Sequence, residues 1–274
     1  MTISVEKPNS APQAGGKVPL VELRDVGKAY GNITALTGIS LRVHAGEVTG
    51  ILGDNGAGKS TLIKIIAGLH QQTDGELLVD GEPIKFSSPA DALGKGIATV
   101  YQNLAVVPLM PVWRNFFLGQ ELRKKSFPWS LDANAMRATT LTELAKMGID
   151  LPDVDVPIGS LSGGQKQCVA IARAVFFGAR VLILDEPTAA LGVKQSGVVL
   201  KYITAAKEAG FGVVFITHNP HHAHLVGDHF VLLNRGRQKL DCSYDEITLE
   251  HLTQQMAGGD ELEALSHELR SAKK

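Results

Sequence analysis

Two adjacent carboxylates, Asp185 and Glu186, end the apolar run "VLILDE" (181 to 186), which otherwise reads as a buried strand. An ionised side chain in a dry setting is costly unless something pairs with it. The two acids therefore imply a cationic partner. Far upstream, "GDNGAGKST" (53 to 61) has the spacing of a phosphate-binding loop, with Gly53, Gly58, Lys59 and Ser60 in its fixed places and Asn55, Gly56 and Thr61 completing the contact positions. Glycines let successive backbone N–H groups converge on phosphate oxygens, and a helix starting near Lys59 turns its positive end to the same anion.

The two motifs explain each other. Lys59 would reach the β- and γ-phosphates of a nucleotide, and the Ser60 hydroxyl would take a place on Mg²⁺. In phosphate-loop nucleoside triphosphatases the carboxylate closing a neighbouring strand holds that ion, so Asp185 finds its cation. Glu186, just beyond the strand, can face the γ-phosphate as a general base. A third stretch, "LSGGQKQ" (161 to 167), precedes a helix whose inner face is Cys168, Val169, Ala172, Val175 and Phe176. Ser162 suits an N-cap, and Gly163 and Gly164 leave the helix start open to an anion.

These motifs need elements to position them. Between Leu20 and Val43 apolar residues recur at period two (Val21, Leu23, Ile39, Leu41, Val43), which predicts an antiparallel β edge. "EVTGIL", the glycine loop and "KSTLIKIIAGL" read as strand, turn and helix, with Leu62, Ile63, Ile66 and Leu69 at helical spacing. "DG" at 80 and 81 marks a turn. From about 103 to 165 the composition changes, and "LDANAMRATTLTELAKMGI" predicts an amphipathic helix ending near Gly148, so this segment reads as an inserted helical subdomain. Beyond it, helix, "VLILD", helix and "GVVFIT" alternate as in a parallel sheet, whose strands are continuously apolar because both faces are buried. "HFVLLNRGRQKL" predicts a hairpin turning near Arg235 and Gly236. The expected fold is α/β: a phosphate-loop NTPase core with a mainly parallel sheet and an N-terminal antiparallel edge. Residues 1–19 read as a disordered leader, 20–244 as one domain and 245–274 as a helical tail.

With these stretches in this order, the sequence resembles the ATP-binding cassette (ABC) ATPases from about residue 20 to 235. "LSGGQ" is the diagnostic part. By that resemblance Tyr30 in "GKAYG" is the aromatic that stacks on adenine, Gln102 in "VYQN" senses Mg²⁺ and the nucleophilic water, and His218 in "FITHN" contacts the γ-phosphate. The resemblance also implies a head-to-tail dimer in which each ATP lies between the phosphate loop of one copy and Ser162, Gly163 and Gly164 of the other. One position departs from the family pattern: after "EPTAAL" an aspartate is usual, and here Gly192 stands, which loosens the expected communication between sites.

"VYQNLA", "WRNFFLG" and "EPTAALGV" are similar to the ATPases of carbohydrate importers handling ribose, xylose or fructose. Such a subunit works at the cytoplasmic face of the inner membrane with a permease and, indirectly, a periplasmic sugar-binding protein. The segment "VVPLMPVWRNFFLG" (106 to 119) holds Val107, Leu109, Met110, Trp113, Phe116 and Phe117, more apolar surface than a short helix needs, so part of it is expected to be exposed to a partner. The competing reading is a soluble ABC ATPase acting as a mechanical switch in translation or DNA repair; such proteins usually show paired cassettes, coiled coils or basic extensions.

Bulk composition agrees. The chain has 274 residues, with 27 basic and 28 acidic side chains, so it lacks the strong field of a nucleic-acid binder. Its two cysteines are too few for a disulfide scaffold. "HNPHHAH" invites a zinc reading, but Asn219 and Pro220 form a helix start, which puts His221, His222 and His224 on exposed helix faces.

Overall fold

A computed structural model describes residues 18–125 and 127–257, with the side chain of Pro128 left out. The expected leader up to residue 17, and the tail from 258 to 274, lie outside the described residues. In chain order the elements are β1 (Val21–Tyr30), β2 (Ile33–Val43), β3 (Val48–Leu52), α1 (Lys59–Ile66), β4 (Asp74–Val79), β5 (Glu82–Pro83), α2 (Pro89–Gly94) and β6 (Ile97–Val100). Next come α3 (Val112–Phe116), β7 (Arg123–Lys124), β8 (Phe127–Leu131), α4 (Ala133–Lys146), α5 (Gly163–Phe176) and β9 (Val181–Asp185). The chain continues through α6 (Val193–Glu208), β10 (Gly212–Thr217), α7 (Pro220–Val226), β11 (His229–Asn234), β12 (Arg237–Ser243) and α8 (Leu249–Met256).

Ten strands form one sheet in the order β5-β4-β1-β2-β12-β11-β3-β10-β9-β6. The run β11-β3-β10-β9-β6 is parallel throughout, while β1 pairs antiparallel with β2 and with β4. Each parallel strand feeds two cores, because successive side chains point to opposite faces. Leu182 and Leu184 of β9, with Val213 and Phe215 of β10, join Val169 and Ala172 of α5 and Ile203 of α6. Val181, Ile183, Val214 and Ile216 join Leu62 and Ile66 of α1 and Leu23 and Ile39 of the antiparallel edge. All five residues of β3 and all six of β10 are buried. On β1 the alternation breaks at Asp25, whose φ is 49°, and the register shifts between Leu23 and Val26, which returns Val26 to the core.

The segment around residue 113, expected to be partly exposed, divides into buried aromatic side chains and an exposed aliphatic pair. Trp113, Phe116 and Phe117 are buried, and Phe116 and Phe117 pack with Phe176 and Phe177 at ring separations from 5.5 to 6.2 Å. The Trp113 Nε1–H donates to Asp155 at 2.9 Å, and Arg137 lies 4.8 Å over its ring while bonding the same carboxylate. These side chains glue the helical lobe together. The exposed apolar residues of the segment are Val107 and Leu109, the latter 88% accessible. No helix of the described residues is long and apolar enough to cross a membrane.

Candidate functional site

The C-terminal ends of β3 and β9 lie close together because β10 pairs with both of them in parallel register. Ligand sites of open parallel sheets form outside these strand ends. Here a cleft of about 540 Å³ is lined by Asp54 through Thr61, Gln102, Asp185 and Glu186, with Arg235, Gly236 and Ile33 to Ala35 on the far wall. The phosphate loop, the "VYQN" glutamine and the two acids thus line one cleft.

The loop owes its shape to glycines. Gly53, Gly56 and Gly58 have φ of 146°, 80° and 107°, in the region that favours glycine. A Cβ at Gly58 would strike Leu36 and would lie 3.4 Å from Gly236 Cα. Gly236 N–H in turn donates to the Ala57 carbonyl at 2.9 Å, and Gly236 accepts from Thr37 N–H at 2.8 Å. The β11–β12 hairpin therefore braces the loop. Gly58 caps α1 without a side-chain hydrogen bond, so the first N–H groups of the helix remain open toward the cleft. Lys59 is buried, and its ammonium donates to the carbonyls of Gly53 at 2.5 Å and Asp54 at 3.0 Å. Burial pulls its pKa below the ordinary lysine value, against the opposing pull of Glu186, Asp54 and Asp185.

The acids sit across from that lysine. Burial raises the Asp185 pKa, the adjacent Glu186 raises it further, and Lys59 opposes both. Glu186 follows in a left-handed conformation, φ 48°, fixed by its N–H on the Ile216 carbonyl at 3.0 Å. Non-glycine residues hold such backbone only where the surroundings enforce it, commonly at functional sites. One Glu186 oxygen lies 2.9 Å from His218 Nδ1; the other is buried and finds no hydrogen-bond partner among the described residues. Two carboxylates facing an anionic ligand repel it unless a cation sits between them, and an unpartnered buried carboxylate oxygen fits a water or ion in that place. The donor set Ser60, Gln102 and Asp185 is of the oxygen type that Mg²⁺ takes.

Tyr30, His218 and the Ser162–Gly164 stretch, expected as ligand contacts, stand outside the cleft lining. The Tyr30 ring meets His70 edge-on at 5.7 Å with the Lys28 ammonium 5.0 Å from its centroid. Ser162, Gly163 and Gly164 also lie outside the lining, on the helical lobe, where Ser162 and Gln165 form a reciprocal cap at the start of α5. Ser162 and Gly163 remain exposed. Asn219 caps α7 as expected, but of His221, His222 and His224 only the first is exposed: His222 bonds Thr188 Oγ1 at 3.0 Å, and the His224 ring packs against Phe230 and Tyr244. Sequence reasoning missed Arg235 and Gly236 as cleft residues, although it placed the turn that carries them. Cys168 is fully buried, which pushes its thiol up to about 12 and leaves it inert.

A second concavity, of about 280 Å³, opens between sheet and helical lobe and is lined mainly by apolar side chains, among them Leu93, Tyr101, Leu104, Val106 and Phe177, with Gln120 and Arg173 at its rim. Its lining runs along the chain on both sides of Gln102, with Tyr101 before it and Leu104 after it.

Comparison with known proteins converges on one family. The family described as ABC transporter matches residues 36–189, more than half of the chain. The chain is 43% identical to a xylose/arabinose import ATP-binding protein of Sulfolobus acidocaldarius over 86% of its own length and 93% of the relative's. It is 40% identical to a fructose import ATP-binding protein of Rhizobium meliloti, over 89% and 95%. Among solved structures, a dimeric ATP-binding cassette in a post-hydrolysis state, bound to ADP and Pi, superposes with a TM-score of 0.68 at 28% identity, covering 82% of this chain and 98% of that one.

Proposed function

We propose that this chain, which belongs to the ABC transporter family and is an ATPase, powers uptake of a sugar of the monosaccharide class through a membrane permease. The observation that carries the chemistry is the convergence of Lys59, Gln102, Asp185 and Glu186 on one cleft, with His218 on Glu186. The sugar reading is supported by the relatives, which are named for import of xylose or arabinose and of fructose. The same likeness favours it over the soluble switch.

In this reading the triphosphate lies against Gly56, Gly58 and the open start of α1, and Lys59 leaves the Gly53 and Asp54 carbonyls for the β- and γ-phosphates. Ser60, Gln102 and Asp185 would hold Mg²⁺, which when bound neutralises charge on the phosphate oxygens. Glu186 takes a proton from a water that attacks the γ-phosphorus; the bond to the β-phosphate oxygen breaks, and ADP and inorganic phosphate leave. His218 fixes the Glu186 carboxylate through their 2.9 Å contact. Tyr30 stacks on the base once the ligand draws it in. Ser162 and Gly163, both exposed, together with Gly164 behind them, lie outside the cleft and meet the γ-phosphate of a second copy, a reading that the dimeric solved relative supports. Residues 20–244 act as one ATPase domain with an inserted helical subdomain at about 103–165, and the segment from 245 is a tail. The apolar groove beyond Gln102 receives the permease, at the cytoplasmic face of the membrane, and a substrate-binding protein acts on the other side.

The test is Glu186→Gln. ATP binding persists, and steady-state hydrolysis falls by about 10² or more, the size of a general-base contribution. Unchanged turnover would remove Glu186 from the mechanism.

A further inference from the structure

Outside the cleft and the groove, the β7–β8 hairpin presents a surface that the fold does not use. Phe127, Trp129 and Leu131 alternate along β8, which places them on one face of the strand. All three are exposed, Trp129 at 84%, whereas the chain's other tryptophan, Trp113, is 3% accessible. Lys124 pairs opposite Phe127, and Lys125 follows it; both are exposed. The nearby acids are turned elsewhere: Glu121 accepts from Gly119 N–H at 3.0 Å, and Asp132 accepts from Ala135 N–H at 3.0 Å as the cap of α4. An apolar aromatic face therefore stands beside two lysines with no acid paired to them among the described residues. The hairpin starts three residues after Gln120, at the rim of the groove assigned above to the permease.

We infer that this hairpin is a membrane-surface contact, seating Phe127 and Trp129 at the interfacial level of a bilayer with Lys124 and Lys125 on anionic lipid headgroups. The chemistry distinguishes this from a protein contact. Tryptophan is enriched at the membrane–water boundary, and lysine near an anionic surface gains attraction, whereas lysine is depleted in protein–protein interfaces. The inference rests on the transporter reading, because a permease in the groove brings the hairpin to the bilayer. Its role there is to add a second, weak attachment and fix the tilt of the helical lobe.

The two tryptophans make the test direct. Trp113 is already buried, so a change in emission on adding vesicles reports Trp129. With vesicles of equimolar phosphatidylglycerol and phosphatidylcholine, emission of the full chain shifts to shorter wavelength and the chain sediments with the lipid; with phosphatidylcholine alone both effects are much weaker. Lys124→Gln and Lys125→Gln each lower the affinity about fivefold, from about 1 kcal/mol per lysine at an anionic surface. Phe127→Ser, which keeps the reporter, diminishes the shift. ATP hydrolysis is unchanged in all three variants. An unshifted spectrum of the unaltered chain with anionic vesicles overturns the inference, as does a shift that needs a detergent-purified membrane protein and no lipid, which makes the hairpin a protein contact. Failure of the transporter reading would show separately, as absence of a membrane partner in detergent extracts whichever hairpin variant is used.

Discussion

Gly53 and Gly56 are both glycines of the phosphate loop, yet the structure gives them different tasks, and paired alanine substitutions separate these. At Gly53, φ is 146° and an added Cβ would collide with the Leu233 carbonyl oxygen and lie 2.9 Å from Ala57 Cβ. Backbone strain of about 1–3 kcal/mol adds to about 1–3 kcal/mol of overpacking, so Gly53→Ala destabilises by roughly 2–6 kcal/mol. A chain of this size loses roughly 2–4 °C of Tm per kcal/mol, which predicts a fall of roughly 5–20 °C. At Gly56, φ is 80° and nothing stands within 4 Å, so Gly56→Ala meets only the left-handed backbone penalty of about 1–2 kcal/mol. Its methyl group, however, enters the cleft where phosphate is to lie. Thermal unfolding with and without Mg-ATP measures both effects. Gly53→Ala should show the larger loss in the absence of ligand, and Gly56→Ala should show the smaller loss together with a much reduced ATP-induced rise in Tm. Equal losses without ligand, or a full ATP response in Gly56→Ala, would refute this division of labour.

Three further outcomes follow from the same geometry. Ser162→Ala removes the α5 cap, which costs about 1 kcal/mol, and should lower ATP turnover while leaving ATP affinity of the isolated chain nearly intact, because the loop around Lys59 is untouched; an equal loss of affinity would argue against a site shared between two copies. Gly192 caps α6 with no atom within 4 Å of an added Cβ, so Gly192→Asp should fit, stabilise by a few tenths of a kcal/mol and raise the cooperativity of hydrolysis with ATP concentration; unchanged cooperativity removes the expectation of looser communication. Glu22 is buried between Arg24 at 2.7 Å and Arg42 at 2.9 Å, and the Arg24 hydrogen bond, then that of Arg42, holds its pKa below the ordinary value of 4.5. A depressed carboxylate stabilises above its unfolded pKa and loses that contribution as pH falls through the folded value. Glu22→Gln should therefore cost about 1 kcal/mol at pH 7 and nothing at a pH below both values, a trend read by urea titration at several pH values.

Much of the cleft was legible because its residues sit at strand ends and helix starts whose local signals are strong. "GDNGAGKST" and "VLILDE" each carry their own backbone logic, and parallel pairing of β3 and β9 with β10 was enough to join them. Arg235 and Gly236 were out of reach. They enter the cleft only because β11 and β12 lie between β2 and β3 in the sheet, an order that no local pattern encodes. Which part of the aromatic segment is buried was out of reach for a related reason: Trp113, Phe116 and Phe117 look excessive for one short helix until Phe176 and Phe177, some sixty residues later, arrive to pack with them. The β7–β8 hairpin went unread because two short strands, bulged at Lys124, leave too little alternation to detect. His222 and His224 have partners, Thr188 and Tyr244, that helix periodicity alone cannot supply.

The central claim is that ATP hydrolysis in this cleft drives a membrane permease. The most direct measurement is capture of tagged Glu186→Gln protein with ATP from detergent-solubilised membranes of the source cell, identification of what is retained, and uptake of sugar by that partner in proteoliposomes holding the unaltered chain and ATP. The account predicts a multi-span membrane protein and ATP-dependent uptake that Glu186→Gln abolishes. Retention of ribosomes or DNA-repair proteins instead, or uptake that proceeds equally with Glu186→Gln, would contradict it.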